Sequence, residues 1–157
     1  MTLALTSTAF RPNQPIPARY TCDGDDISPP LSFAGTPPAT KSLALIIDDP
    51  DAPDPKHPQR VWVHWVIYNI DCIGLPEGAS RGPLPPGVLV GRNDWNRTDY
   101  GGPCPPIGRH RYVHKLYALD IRLDDLPSPA TKATLERAMQ GHILARAELI
   151  GTYQKQQ

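Results

Sequence analysis

The chain has no excess of charge of either sign, since 16 Lys and Arg balance 16 Asp and Glu. A nucleic-acid binder usually carries a basic face, so that class is set aside. No apolar run approaches the ~18 residues of a membrane-spanning helix, and the N-terminal Met1-Thr2-Leu3-Ala4-Leu5-Thr6 lacks the basic and apolar regions of a signal peptide. No Cys-x-x-Cys pair occurs, so a zinc ribbon or a redox motif is not expected. The three cysteines, Cys22, Cys72 and Cys104, are far apart and odd in number, which argues against a disulfide scaffold. On these grounds the protein is expected in the cytoplasm with reduced thiols, and Cys104 as a small buried apolar residue. The dinucleotide, P-loop and H-E-x-x-H fingerprints are also missing.

What the chain has in quantity is proline, 20 of 157 residues, beside 12 glycines, where ~5% proline is usual. That suits short strands joined by stiff loops, in one domain spanning 1–157. Ser42–Asp48, Val61–Ile70 and Arg111–Leu123 read as strands, with a short one at Val88–Val90. Ser128-Pro129 supplies a helix N-cap and a first-turn proline, Leu135, Ala138 and Met139 follow at helical spacing, and Gly141 ends the run. Alternation from Ile143 to Ile150 predicts a final strand. The expected fold is mainly β: an antiparallel β-sandwich with one or two short helices. Pro50–Arg60 and Gly74–Arg109 are long connections, and connections of that length usually carry function.

Gly78-Ala79-Ser80-Arg81-Gly82 spells the G-x-S-x-G nucleophile elbow, but it lacks the strand before and the helix after that would project the serine. Asp48, Asp49, Asp51 and Asp54 cluster after a strand without the glycine and glutamate of a calcium loop. Their Asp-Pro spacing suits a stiff turn that holds one carboxylate beside a ligand. With period two, Trp62, His64, Val66 and Tyr68 share one face, and His110, Tyr112 and His114 share another. Two strand histidines, a rigid aspartate and a tyrosine offer donors for a phosphate or carboxylate, with the aspartate fixing a tautomer. The same groups leave a metal open, although no spacing is diagnostic.

Asp49–Pro53 (DPDAP) followed by VWVHWVIYNI resembles the first signature of the phosphatidylethanolamine-binding proteins. Gly102–Gly108 (GPCPPIG) with His110-Arg111-Tyr112 resembles their second. Tyr20–Gly24, Ser28–Leu31 and Gly91–Trp95 are similar to the bacterial Raf kinase inhibitor-like subgroup, and the likeness runs from about Phe10 to Tyr153. The resemblance implies a β-sandwich with a small anion pocket for phosphoryl groups such as the phosphorylethanolamine headgroup. By motif position the ligand-binding residues are Asp49, Ala52, Pro53, Trp62, His64, Pro105, Pro106, His110 and Tyr112. The implied partners are a phosphorylated small molecule, a phospholipid headgroup or a phosphorylated protein segment, with kinase modulation among the family's roles. No cofactor, metal or nucleic acid is expected, and a homodimer is compatible with the sequence. His114 stands where the family more often has a bulky aromatic, so it is either a core residue or an added polar group near the pocket. The covering C-terminal helix of eukaryotic members is not expected after Tyr153. The protein is therefore expected to bind small anions, with His64 and His110 as donors strengthened by protonation. The alternative is a phosphoester hydrolase using His64, His110 and Asp49, which has no activated nucleophile in support.

Overall fold

Apolar and β-branched segments separated by proline and glycine set the order of elements. The computed structural model describes residues 2–156. It contains β1 (Ala4–Thr6), β2 (Leu31–Ala34), β3 (Ser42–Ala52), β4 (Arg60–Ile70), β5 (Gly74–Leu75), β6 (Leu89–Val90), β7 (Arg109–Leu119), α1 (Lys132–Met139) and β8 (Ile143–Gln154). Five strands form one antiparallel sheet in the order β6-β4-β3-β7-β8, and β1-β2-β5 form a second, smaller one. The sandwich expected from sequence is present.

β3 lies at the centre of the large sheet and is buried on both faces, which is why it reads as a nearly continuous apolar run. Leu43, Leu45 and Ile47 point into the core shared with Leu5 and Phe33 of the small sheet. Ala44 and Ile46 point the other way, onto Leu135 and Met139 of α1. Each buried Leu, Ile or Met side chain contributes about 1.5–3 kcal/mol by leaving water. The two faces therefore have separate cores, one between the sheets and one under the helix.

Several boundaries differ from the sequence reading. β3 continues through Asp49-Pro50-Asp51 to Ala52, where the Ala52 carbonyl accepts from Gln59 N–H at 2.8 Å and the strand still pairs with Arg60. β7 begins at Arg109 and stops at Leu119, because the Asn69 side chain captures Leu123 N–H at 2.8 Å and bends the following segment over the sheet. The helix is capped by Thr131 rather than Ser128. Thr131 Oγ1 accepts from Thr134 N–H at 3.1 Å, and Thr134 Oγ1 accepts from Thr131 N–H at 2.7 Å. This reciprocal box works with threonine in place of the usual glutamate.

β8 runs four residues past Ile150, to Gln154. Residues 13–16 lie along its outer edge, with Asn13 N–H on Ile150 O at 2.6 Å and Ile16 N–H on Thr152 O at 2.7 Å. Gly151 permits this approach, since a Cβ there would lie 2.5 Å from Ile16 Cγ1. Among the described residues no helix is long and apolar enough to cross a membrane.

Candidate functional site

The pocket forms where β3, β4 and β7 emerge from the sandwich between the two proline-rich connections. Pairing sets its faces: Asp49 lies opposite Trp62, Asp48 opposite Val63 and Ile47 opposite Trp65. One step on β3 thus spans two on β4, and His64 is the additional residue, a β-bulge. Bulges re-aim side chains and are common beside functional sites. The bulge breaks the expected period-two face. Val66 and Tyr68 belong to the core under α1, whereas Trp62 and His64 line the cavity. On β7, His110, Tyr112 and His114 do share a face, but His114 packs against Phe10 with ring centroids 5.4 Å apart and lies outside the cavity lining.

All nine residues chosen from sequence line one cavity of about 470 Å³. Gln59, Arg60, Trp95 and Cys104 also line it, and the sequence reading did not place them there. Trp95 is positioned by Asn93, whose Oδ1 accepts from Trp95 N–H at 2.9 Å and Arg97 N–H at 3.1 Å. An Asn two residues before an aromatic was a readable turn signal. Arg60 stacks its guanidinium over Trp62 at 4.4 Å. The Ala52–Pro53 peptide is cis.

Cys104 reaches the lining as half of a disulfide with Cys22, their Cα atoms 5.4 Å apart, while Cys72 is free. The expectation of three reduced thiols is corrected. Odd count and wide spacing carry no information about two loops that the fold brings together. The Tyr100 hydroxyl donates to Tyr20 O at 2.7 Å and Gly102 N–H donates to Asp26 Oδ1 at 2.8 Å, aligning the same two loops.

The four clustered aspartates go to four destinations. Asp48 turns under α1 to Lys115 at 2.9 Å and Lys132 at 2.8 Å. Asp51 holds Arg111 at 2.8 Å, which keeps its own carboxyl below the usual range. Asp54 caps its own turn through Lys56 N–H at 3.0 Å. Only Asp49 faces the cavity. Ser80 lies in a single turn of 3₁₀ helix, Ala79–Arg81, with no strand leading into it, so the nucleophile elbow is absent.

Hydrogen bonding fixes what the pocket offers. His110 places Nδ1 2.6 Å from Asp49 Oδ2 and Nε2 2.8 Å from the Ile107 carbonyl oxygen. Both ring nitrogens face acceptors, so the His110–Asp49 pair carries two protons, one on Nε2 and one between Nδ1 and the carboxylate. The pair is neutral overall. Burial raises the Asp49 carboxyl, against the lowering effect of His110 and of Asp51 N–H, which donates to Asp49 Oδ1 at 2.7 Å.

His64 is buried, and desolvation lowers its pKa to about 4, outweighing the Gly101 carbonyl that favours its charged form. Its Nδ1–H donates to Gly101 O at 2.7 Å. The neutral ring therefore has Nε2 as an acceptor. This corrects the expectation of a histidine donor strengthened by protonation near neutral pH. His114 is lowered to about 4 by the same desolvation, with Nδ1 3.0 Å from Leu149 O. Two donors are left over: Trp62 Nε1 and the Tyr112 hydroxyl are buried with no partner among the described residues. Burial pushes the Tyr112 hydroxyl well above its ordinary pKa, so it remains a neutral donor.

A family profile described as phosphatidylethanolamine-binding protein matches residues 6–154. A UPF0098 protein of Methanothermobacter thermautotrophicus is 52% identical over 154 residues, covering 96% of this chain and 98% of that one. Among solved structures, a phosphatidylethanolamine-binding protein homologue from Chlamydia trachomatis superimposes with a TM-score of 0.89 at 43% identity over 99% of both chains. YbcL of E. coli, described as a new member of the mammalian family, superimposes at 0.88 with 30% identity, over 99% of this chain and all of its own (100%).

Proposed function

The chain belongs to the phosphatidylethanolamine-binding protein family, and we propose that it binds a small phosphoryl-bearing ligand in the cavity between β3, β4 and β7. The observation that carries this reading is the Tyr112 hydroxyl, on a side chain 1% exposed, lining the cavity without a partner. A buried unpaired donor costs about 1–3 kcal/mol, which an acceptor on a bound ligand recovers. Trp62 Nε1 adds a second such donor, and the Trp95, Pro53 and Pro106 walls enclose an apolar rim. Arg60 stands at the mouth as the cation of the lining, available to a ligand anion.

The geometry supports binding over phosphoester hydrolysis. His110 has both ring nitrogens engaged, and His64 commits Nδ1 to Gly101. The proposed ligand chemistry is shared by a soluble phosphorylated molecule, a phospholipid headgroup and a phosphorylated protein segment, kinase substrates included. The cytoplasmic setting expected from the N-terminal segment goes with reduced thiols, whereas the Cys22–Cys104 bond is of a kind that persists mainly in oxidising compartments.

Calorimetric titration with phosphorylethanolamine tests the proposal, with vesicles of phosphatidylethanolamine as a second arm. Saturable one-to-one binding, weakened about tenfold or more in Tyr112→Phe, is expected, because a hydrogen bond to a charged group contributes about 1.5–3 kcal/mol. Binding of the soluble compound alone assigns free phosphoryl ligands; binding of vesicles alone assigns the lipid. No heat with either, from folded protein, ends the reading.

A further inference from the structure

The pocket is chemically mixed in a way that an anion alone does not satisfy. Trp62 Nε1–H and Tyr112 O–H are donors without partners, which an anion's oxygens can fill. His64 is different: its Nδ1–H is spent on the Gly101 carbonyl, so Nε2 presents a lone pair. That nitrogen repels an unprotonated anionic oxygen and needs a donor. We propose that the cavity takes a phosphomonoester as its singly protonated monoanion, whose own P–O–H donates to His64 Nε2 while its other oxygens accept from Trp62 and Tyr112. This rests on the phosphoryl-ligand reading above, adds the protonation state that the site selects, and sets aside phosphodiester headgroups, which have no P–O–H to give.

Charge agrees with the hydrogen bonds. The His110–Asp49 pair is neutral as a unit, and each of its polar ring contacts is already filled by Asp49 or Ile107. No buried cation in the lining is left to neutralise a second negative charge, and Arg60 is exposed at the rim. A dianion would enter at the cost of desolvating a charge that nothing inside matches. The surroundings of His64 also keep it neutral. Trp95 packs edge-on at 4.9 Å and Tyr112 at 5.2 Å. The titratable groups acting on it are Asp48 from β3 and His110 and His114 from β7, and the two histidines oppose its protonation.

A phosphomonoester loses its second proton with pKa about 6, so the monoanion is the minority form at neutral pH. Apparent affinity should then fall nearly tenfold per pH unit above about pH 6.5. The protein's own titration is separated from the ligand's by a sulfate ester, which has the same shape and a single charge but no proton to give. The experiment compares phosphorylethanolamine with ethanolamine O-sulfate from pH 5.5 to 8.5, in the wild type and in His64→Gln, whose amide can donate as well as accept.

The expected result is a phosphate ester that binds at least tenfold more tightly than the sulfate ester at pH 6, with the steep profile confined to the phosphate. The gap should close in His64→Gln. Equal binding of both esters with matching pH profiles overturns the monoanion inference and leaves the phosphoryl reading standing. Phosphate affinity that rises with pH overturns it as well. Binding of neither ester by folded protein overturns both. If His64→Gln does not fold, the wild-type comparison of the two esters decides alone.

Discussion

Breaking the Cys22–Cys104 bond should cost more stability than any single contact in the pocket. The two cysteines are 82 residues apart in sequence, so the cross-link closes a large loop in the unfolded chain. Loop-closure entropy for that length is about 15 cal/mol/K, or about 4.5 kcal/mol at 25 °C. Native hydrogen bonds do not replace it. Cys22 N–H on Pro103 O at 3.1 Å and Tyr100 on Tyr20 O at 2.7 Å hold the loops together in the folded state only. At about 2–4 °C per kcal/mol for a chain of this size, the midpoint should drop by about 9–18 °C. The assay is urea and thermal unfolding of the oxidised protein, of the protein in a phosphine reductant, and of the Cys22→Ser/Cys104→Ser variant. Thiol titration under denaturing conditions should find one free thiol per chain before reduction, from Cys72. A loss below about 1 kcal/mol in both reduced and variant forms would refute the loop-closure reasoning, and three free thiols before reduction would refute the bond.

Two further perturbations separate the fold from the site. His64 and His114 both fall to about 4 in the folded state. With folded values below the unfolded one, the unfolded chain binds more protons in this range, so stability is present above about pH 6.5 and is lost as pH falls toward 4. Urea unfolding at pH 7 and pH 5 should differ by about 2 kcal/mol for each histidine, and His114→Phe should remove about half of that difference; an unchanged slope would count against it. Asp48→Asn should destabilise the protein by about 2–3 kcal/mol, less than a fully buried pair because Lys115 and Lys132 are 26% and 20% exposed. Its phosphorylethanolamine affinity should stay within about twofold of wild type, whereas Asp49→Asn should weaken binding by disturbing His110; the reverse pattern in calorimetry would sink the assignment of the two carboxylates to opposite faces.

Strand identity was legible because burial on two faces leaves an unmistakable composition in SLALII and VWVHWVIYNI. Asp49, His64, His110 and Tyr112 are legible from the chemistry of residues beside proline-stiffened loops, whereas Ala52, Pro53, Trp62, Pro105 and Pro106 follow from the family resemblance. What was not legible depends on distances across the fold. The meeting of Cys22 with Cys104 is set by how loops 20–26 and 99–104 dock, which no local spacing encodes. The acceptor face of His64 depends on the Gly101 carbonyl, 37 residues away in sequence. The cap at Thr131 is not legible because a threonine box is a weaker signal than Ser-Pro, although both offer the same chemistry to the first helical turn.

The bulge in β4 has a consequence for chain length. Without His64, the remaining residues Trp62, Val63, Trp65, Val66 and Ile67 alternate strictly between the cavity or inter-sheet side and the helix side, each opposite its present partner on β3. The strand is complete as a strand before the histidine is counted. His64 is thus an extra unit threaded into a regular pattern, and shortening the chain by that one residue leaves every neighbour facing where it faces now.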